Sequence, residues 1–370
     1  MKKYAIAAAI LSVAGLATAQ EVVKIGHSAA VTGPVSYFGK DTENGARMAI
    51  EALNARGVVI GGKKVRFELV AEDDGGDPKQ ATSVAQKLVD GRVNGVVGHE
   101  TSGTTIPASK IYHQAGIPQI SPSSTSPVYT KQGFNTAFRV VANDVQLGQA
   151  LGHYAVQKMG ARRVAVIDDR TAYGQGLVTE FSKGLRDQGA AIVAREFTHD
   201  KASDFNAILT KIRAAKPDLV FFGGMSAVAG PMLRQMKQLG MNVKMMGGDG
   251  ICSDEIHKLA GGAMADGQVF CAEAGGVDAA GKFRADYRKR FGIDVQINAP
   301  YAYDAVMTMA EAMVKAGSSA PAKYLPVLAK IETKGVTGPI AFDARGDIRD
   351  GTITLYTFKG GRRTVLAVTK

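Results

Sequence analysis

From Val22 onward the chain alternates short β-branched or apolar runs with stretches whose apolar residues recur every three or four positions. That alternation constrains the fold more than any other feature. Strands joined through helices pair in parallel and need helices on both faces of their sheet. VVKIGHSA is followed by GKDTENGARMAIEALNARG, where Ala46, Ala49, Ile50 and Leu53 share one helical face and Gly57 marks the stop. VRFELVA, the helix of DPKQATSVAQKLVDG, NGVVG, a helix over 104–115 and IPQIS complete one doubly wound unit. After FNTAFRVVAND the pattern restarts with RRVAVIDD, a helix over 176–188, AAIVAREF, a helix over 204–215, DLVFFGG, another helix and VKMMGGDG. Two α/β lobes therefore follow one another. Helices over 278–291 and 301–315 and the strands IAFD and TLYTF exceed what the second sheet needs. The simplest arrangement returns the chain to the first lobe and then gives a last strand to the second. No low-complexity linker separates the lobes, which predicts a hinge made of several short crossings.

The opening MKKYAIAAAILSVAGLATAQ places Lys2 and Lys3 before an apolar run over 5–17 and ends in Ala17, Thr18 and Ala19. This is the pattern of a cleaved secretory signal over 1–19, and it predicts a soluble, exported chain starting at Gln20. No Cys follows the cleavage site to carry a lipid, and no later segment reaches about 18 uninterrupted apolar residues. Export places Cys252 and Cys271 in an oxidising compartment, where a disulfide between them is expected. The mature length suits two domains. The full sequence, with 45% hydrophobic and 21% charged residues, is that of a chain that buries globular cores. A net charge of +11 would suit nucleic acid, but the basic residues are scattered, Trp is absent and no basic block carries interleaved aromatics. No nucleic-acid partner is expected.

In open parallel sheets, ligands bind beyond the carboxyl ends of the strands, where helix N-termini present N–H groups without partners. GHETSGTTIPAS, residues 98–109, sits at such a place with five hydroxyl residues, and SPSSTSP, residues 121–127, follows the next strand. Helix capping explains one hydroxyl. Two clusters on neighbouring strands favour an anion site, and a carboxylate suits it. Signs of catalysis are weak. GVVIGGKK, residues 57–64, approximates a phosphate-binding loop, but Lys64 replaces the required hydroxyl residue and the segment leads into a strand, so a turn is expected. GxGxxG, HExxH, GxSxG and SxxK patterns are absent. His27, His99, His113, His153, His199 and His257 form no spaced ligand set and are expected at the surface or in packing. Asp73, Asp74 and Asp77 lack calcium-loop spacing and are expected in a solvated turn capping the helix after Pro78. Neither an enzyme, a metal nor a cofactor is expected.

Six segments carry a wider likeness: TGPVSYFGKDTENGARMAIEALNARG, AEDDGGDPKQA, VVGHETSGTTIPASKIY, GIPQISPSSTSP, DDRTAYGQGL and GPIAFDARGDI. Together, and in order through nearly the whole mature chain, they resemble the periplasmic amino-acid-binding proteins of the Leu/Ile/Val type, which serve ABC transporters. The resemblance implies a type I periplasmic binding protein, or Venus-flytrap, fold: two doubly wound Rossmann-like lobes, three hinge crossings and a ligand enclosed by lobe closure. It implies an N-terminal lobe of 20–142 and 274–350 and a C-terminal lobe of 143–273 and 351–370. Ser102 then matches the hydroxyl that holds the ligand carboxylate. Ser123 and Thr125, with Ser124 between them, match the segment that receives the α-ammonium, Thr125 also reaching the carboxylate. Tyr173 matches a ring closing over the ligand, and Asp249 the acid that neutralises the ammonium. Phe38 and Tyr303 match aromatic positions lining the cleft. A zwitterion leaving water needs a partner for each charge, and hydroxyls with helix N-termini on one side and Asp249 on the other supply both.

Two positions depart from the family pattern. Met225 stands where some members place a Tyr, and Glu100 stands where an apolar residue commonly faces the ligand side chain. If Glu100 points away, or pairs with a cation such as Lys40 at the rim, the pocket is apolar and suits Leu, Ile, Val or a similar neutral amino acid. If it points into the cleft, the ligand needs a polar or cationic side chain, such as an amide, Lys or Arg. Either ligand gives a monomeric periplasmic receptor that delivers an amino acid to a membrane permease. A ligand-sensing receptor domain is the alternative of another class.

Overall fold

The computed structural model describes residues 20–276 and 280–369. The proposed signal, 1–19, lies outside them. The chain opens with β1 (Glu21–Ala29), α1 (Ser36–Arg56), the hairpin of β2 (Val59–Ile60) and β3 (Lys63–Asp73), and α2 (Pro78–Asp90). Then come β4 (Gly95–Gly98), α3 (Ser102–Gln114), β5 (Gln119–Ser121), α4 (Val128–Lys131) and β6 (Ala137–Arg139). These strands form one sheet in the order β2-β3-β1-β4-β5-β6, parallel except for the β2 edge.

After α5 (Asp144–Gln157) a second unit follows: β7 (Arg163–Asp168), α6 (Ala172–Asp187), β8 (Ala191–Phe197), α7 (Asn206–Ala214), β9 (Leu219–Gly223) and α8 (Ser226–Gln238). It continues through β10 (Lys244–Gly247), a 3-10 turn (Asp249–Ile251), α9 (Glu255–Ala260) and β11 (Val269–Glu273). α10 (Gly281–Phe291), α11 (Ala299–Ala316), α12 (Pro321–Leu328) and the pair β12 (Glu332–Gly335) and β13 (Gly338–Ala341) come next, and α11 packs along α1 of the first unit. The chain then returns with β14 (Ile353–Lys359) and β15 (Arg362–Thr369). The second sheet runs β15-β14-β11-β10-β9-β7-β8. The chain thus passes between the two lobes three times, after β6, after β11 and after β13.

Three readings need correction. The return to the second sheet is a hairpin of two antiparallel strands, because RRTVLAVT pairs back on TLYTF. Its mixed basic and apolar residues hide the strand, since an edge strand buries only part of one face. IAFD joins no main sheet and instead contributes to the small β12–β13 ribbon. α3 starts at Ser102, with Thr101 as its cap, two residues earlier than expected.

Local chemistry explains the element ends nearest the cleft. Asp77 caps α2 by accepting from the N–H groups of Lys79 and Gln80, with Pro78 in the first turn where no N–H is missed. α11 is capped from outside. The buried Asp41 of α1 accepts from the backbone N–H of Gln296, Ile297, Asn298 and Ala299 at 2.8–3.0 Å. Gly45, one turn along α1, lets the two backbones meet: a Cβ there would lie 2.0 Å from the carbonyl oxygen of Ala299. In an exposed helix Gly→Ala stabilises by about 1 kcal/mol. At Gly45 the clash wins, and Gly45→Ala is expected to destabilise by about 3 kcal/mol, read as a lower denaturant midpoint. An unchanged or raised midpoint would show that α1 and α11 can move apart freely.

Cys252 and Cys271 form a disulfide with Cα atoms 5.3 Å apart, tying the turn after Asp249 to β11. Both are buried. Replacing both with Ala is expected to cost about 3 kcal/mol in chemical denaturation, the magnitude for a loop of this length; a loss under about 1 kcal/mol would mean that packing alone holds the turn.

Candidate functional site

Each sheet has one place where successive connections leave in opposite directions. In the first it lies between β1 and β4, and in the second between β7 and β9. Such switch points open a crevice at the carboxyl ends of the strands. The two crevices face each other across a narrow cleft lined by Phe38, Glu100, Thr101, Ser102, Ser123 and Asn298 from the first lobe and by Tyr173, Met225, Asp249 and Gly250 from the second. The lobes also touch directly: Phe38 and Ile297 share a hydrophobic cluster with Phe222 and Ile251.

On the first wall, the side chain of Ser102 opens α3, whose first turn carries N–H groups without intrahelical partners and the positive end of the helix dipole. The Ser102 hydroxyl is oriented by Ser124 Oγ, which donates to it at 3.2 Å, and by the N–H of Ser126 at 3.1 Å. Ser123 Oγ donates to the carbonyl of Glu100 at 2.6 Å, joining the two hydroxyl segments. Behind them Arg139, fully buried, fixes the second segment: its guanidinium donates to the carbonyls of Ser124 and Ser126 and to Asp347 Oδ1 in the third crossing. His99 plays the same part for the first segment. Its ring bridges Asp74 Oδ2 at 2.7 Å and the Tyr112 hydroxyl at 2.9 Å. Burial works against the Asp74 charge, but hydrogen bonds from His99, Gly76 and Ser28 hold its carboxyl below the usual carboxylate range.

On the second wall, Asp249 follows β10 and Tyr173 lies in the first turn of α6. The Tyr173 hydroxyl donates to Asp249 Oδ1 at 2.6 Å and accepts from the N–H of Gly250 at 2.9 Å. Burial raises the Asp249 carboxyl to about 6, although the bond from Tyr173 opposes the shift. Met225 precedes α8 and makes no cap hydrogen bond.

Seven of the ten residues singled out from sequence come together here: Phe38, Glu100, Ser102, Ser123, Tyr173, Met225 and Asp249. Ser124 and Thr125 stand one layer back. Ser124 orients Ser102, and the buried Thr125 hydroxyl makes no hydrogen bond while its carbonyl accepts from the N–H of Asp144. Tyr303 is elsewhere. It packs edge-on against Phe283 and borders a separate groove with Leu53, Met307 and Val336, because its place in α11 turns it toward α10 and away from the cleft. Asn298 takes the cleft position from that segment. An Asn before Ala-Pro reads as a helix cap, yet its side chain makes no cap bond: Pro300 has no N–H to offer, and Asp41 takes the N–H groups of Asn298 and Ala299. Asp74 is likewise buried where a solvated turn was expected, and His99 is a positioning residue.

Glu100 lies in the cleft lining. It is 4% exposed, its Oε2 has no hydrogen-bond partner, and no ion pair to it forms among the described residues, Lys40 remaining exposed. Burial raises its carboxyl to about 8, with the charges of Asp74, Asp249 and Asp41 adding to the shift. Asp144, at the start of α5, is a second buried acid, raised to about 8 by burial and by Asp249 with the nearby Thr125 and Arg139 opposing the shift.

Residues 22–362 match the family model described as periplasmic binding protein. The Leucine-, isoleucine-, valine-, threonine-, and alanine-binding protein of Pseudomonas aeruginosa is 35% identical over 96% of both chains. The leucine-specific-binding protein of Salmonella typhimurium is 33% identical over 88% of both. Among solved structures, the branched-chain amino acid transporter substrate-binding protein LivJ from Streptococcus pneumoniae, in complex with isoleucine, superposes with a TM-score of 0.84 at 29% identity, covering 94% of this chain and 99% of its own. The leucine-binding protein LivK from Thermotoga maritima gives 0.85 at 26% identity, over 94% and 98%.

Proposed function

The chain belongs to the periplasmic binding protein family, and from that premise we propose that it is the amino-acid receptor of an ABC importer. It binds one α-amino acid in the cleft, closes its lobes over it and presents it to a membrane permease, with no chemical step. The observation that carries this reading is the opposite character of the two cleft walls. The first wall offers a helix N-terminus and the Ser102 hydroxyl, which accepts from Ser124 and Ser126; the second offers Asp249, braced by Tyr173. A zwitterion brings one charge for each wall, and neither charge is left buried alone. Ser102 with the first turn of α3 takes the carboxylate, and Asp249 takes the ammonium.

The relatives named for leucine, isoleucine and valine support a branched-chain or similar neutral amino acid as the family's ligand class. The Cys252–Cys271 bridge suits the oxidising periplasm. The protein acts there as a monomer. Lobe boundaries at 142/143, 273/274 and 350/351 place all hinges in the three crossings.

The test is a thermal-shift screen of the common amino acids on unfolded and refolded protein, which removes any ligand carried through purification. At 100 times its dissociation constant the true ligand stabilises by about 2.7 kcal/mol. A screen in which no amino acid shifts the transition would overturn the reading.

A further inference from the structure

We propose that Glu100 sets the side-chain specificity of this cleft and extends its ligands to amino acids that carry a cationic side chain. The proposal rests on the amino-acid reading above and concerns only what lies beyond the α-carbon.

Glu100 is nearly completely buried, borders the cleft and leaves Oε2 without a donor. Among the described residues no side chain donates to its carboxyl. The hydrogen bonds around it use its carbonyl, which accepts from Ser123, and the basic groups nearby are committed, His99 to Asp74 and Arg139 to Asp347. A buried acid without a partner costs several kcal/mol unless it takes up a proton or a cation arrives. Among the described residues, the cleft lining contains two carboxyls, Glu100 and Asp249, and no Lys, Arg or His. A zwitterion with a neutral side chain supplies one ammonium, which Asp249 uses, and adds a carboxylate. That carboxylate holds Glu100 in its protonated form, with Oε2 still unpartnered. An ammonium or guanidinium at the end of the ligand side chain supplies the missing positive charge.

The remaining lining agrees. Phe38 and Tyr173 present aromatic rings and Met225 a polarisable thioether, surfaces compatible with the alkyl stem and charged head of such a side chain. The raised Glu100 carboxyl reports the same environment: every charge acting on it, from Asp74, Asp249 and Asp41, is negative.

The experiment is titration calorimetry of arginine, lysine, ornithine, leucine and glutamine against refolded parent protein, Glu100→Leu and Glu100→Gln. The parent is expected to bind at least one of the cationic amino acids. Both variants should lose that affinity by roughly a hundredfold, the size of effect seen when one partner of a buried charge pair is removed, while Glu100→Leu keeps or gains leucine. Binding of only uncharged amino acids by the parent would overturn the proposal and leave the amino-acid reading standing. Cationic binding that survives unchanged in Glu100→Gln would overturn it too. If neither the parent nor either variant binds any amino acid, the reading beneath the proposal fails with it.

Discussion

Asp249→Ala is expected to weaken amino-acid binding by about 2–5 kcal/mol while leaving the fold intact. The expectation follows from where the acid sits. Asp249 stands at the tip of a strand, and its folding contacts are the bond from Tyr173 and the N–H of Gly250. Removing it leaves the Tyr173 hydroxyl accepting from Gly250 and free to turn to water, so the ligand-free protein loses little. The complex loses more, because a ligand ammonium enclosed by two lobes has then no counter-charge. Asp249→Asn keeps the shape and the bond to Tyr173 but not the charge, and should fall on the same side as Ala. Calorimetry in which Asn binds like the parent would show that Asp249 acts through hydrogen bonding alone.

The second large effect is on the pH dependence of stability. Glu100 and Asp144 are both raised to about 8 and Asp249 to about 6 in the folded protein, in each case chiefly by burial. The folded state therefore binds protons more tightly than the unfolded chain. Their contribution is fully present below the unfolded carboxylate range, near pH 4, and is lost as pH rises through 6 for Asp249 and through 8 for the other two. Each group contributes a slope of at most about 1.4 kcal/mol per pH unit within its window. Denaturant midpoints of the ligand-free protein should fall between pH 5 and 8.5, and Glu100→Gln or Asp144→Asn should each make that fall shallower. Parallel profiles for parent and variants would mean that water reaches these carboxyls and that they titrate normally. A ligand ammonium beside Asp249 should reverse part of that group's shift, since a nearby cation favours the ionised form.

The strand and helix order was legible because period-two and period-3.6 patterns survive in short windows, as in VRFELVA against DPKQATSVAQKLVDG. The first cleft wall was legible for a related reason. Hydroxyls directly after apolar strands have few structural duties beyond capping, so the two clusters of the first wall stood out, while Ser102, Ser123 and Asp249 were singled out only through the family resemblance. Residues that act from behind the cleft left no such mark. Arg139 reads as an ordinary basic residue at the end of FNTAFR, and only the fold brings it to Asp347, 208 positions later. Asp41 caps a helix 255 or more residues away, which no local capping pattern can reveal. Tyr303 shows the opposite error: a one-residue or two-residue shift along a helix turns a side chain through 100° or 200°, enough to carry an aromatic from one face of α11 to another. The direction of Glu100 was open because a long acid before a helix can reach solvent or turn inward. The hairpin strand β15 was missed because its outward face is wet.

If the cleft holds an amino acid by both of its charged ends, removing either end should cost affinity. The most direct test takes the amino acid that the thermal-shift screen identifies and compares it by calorimetry with two analogues, one lacking the α-ammonium and one lacking the α-carboxylate. Both analogues keep the side chain, so the question of Glu100 drops out. Each is expected to bind about a hundredfold more weakly or worse, since each leaves one wall of the cleft facing no charge. An analogue that binds within a few-fold of the parent amino acid would contradict it.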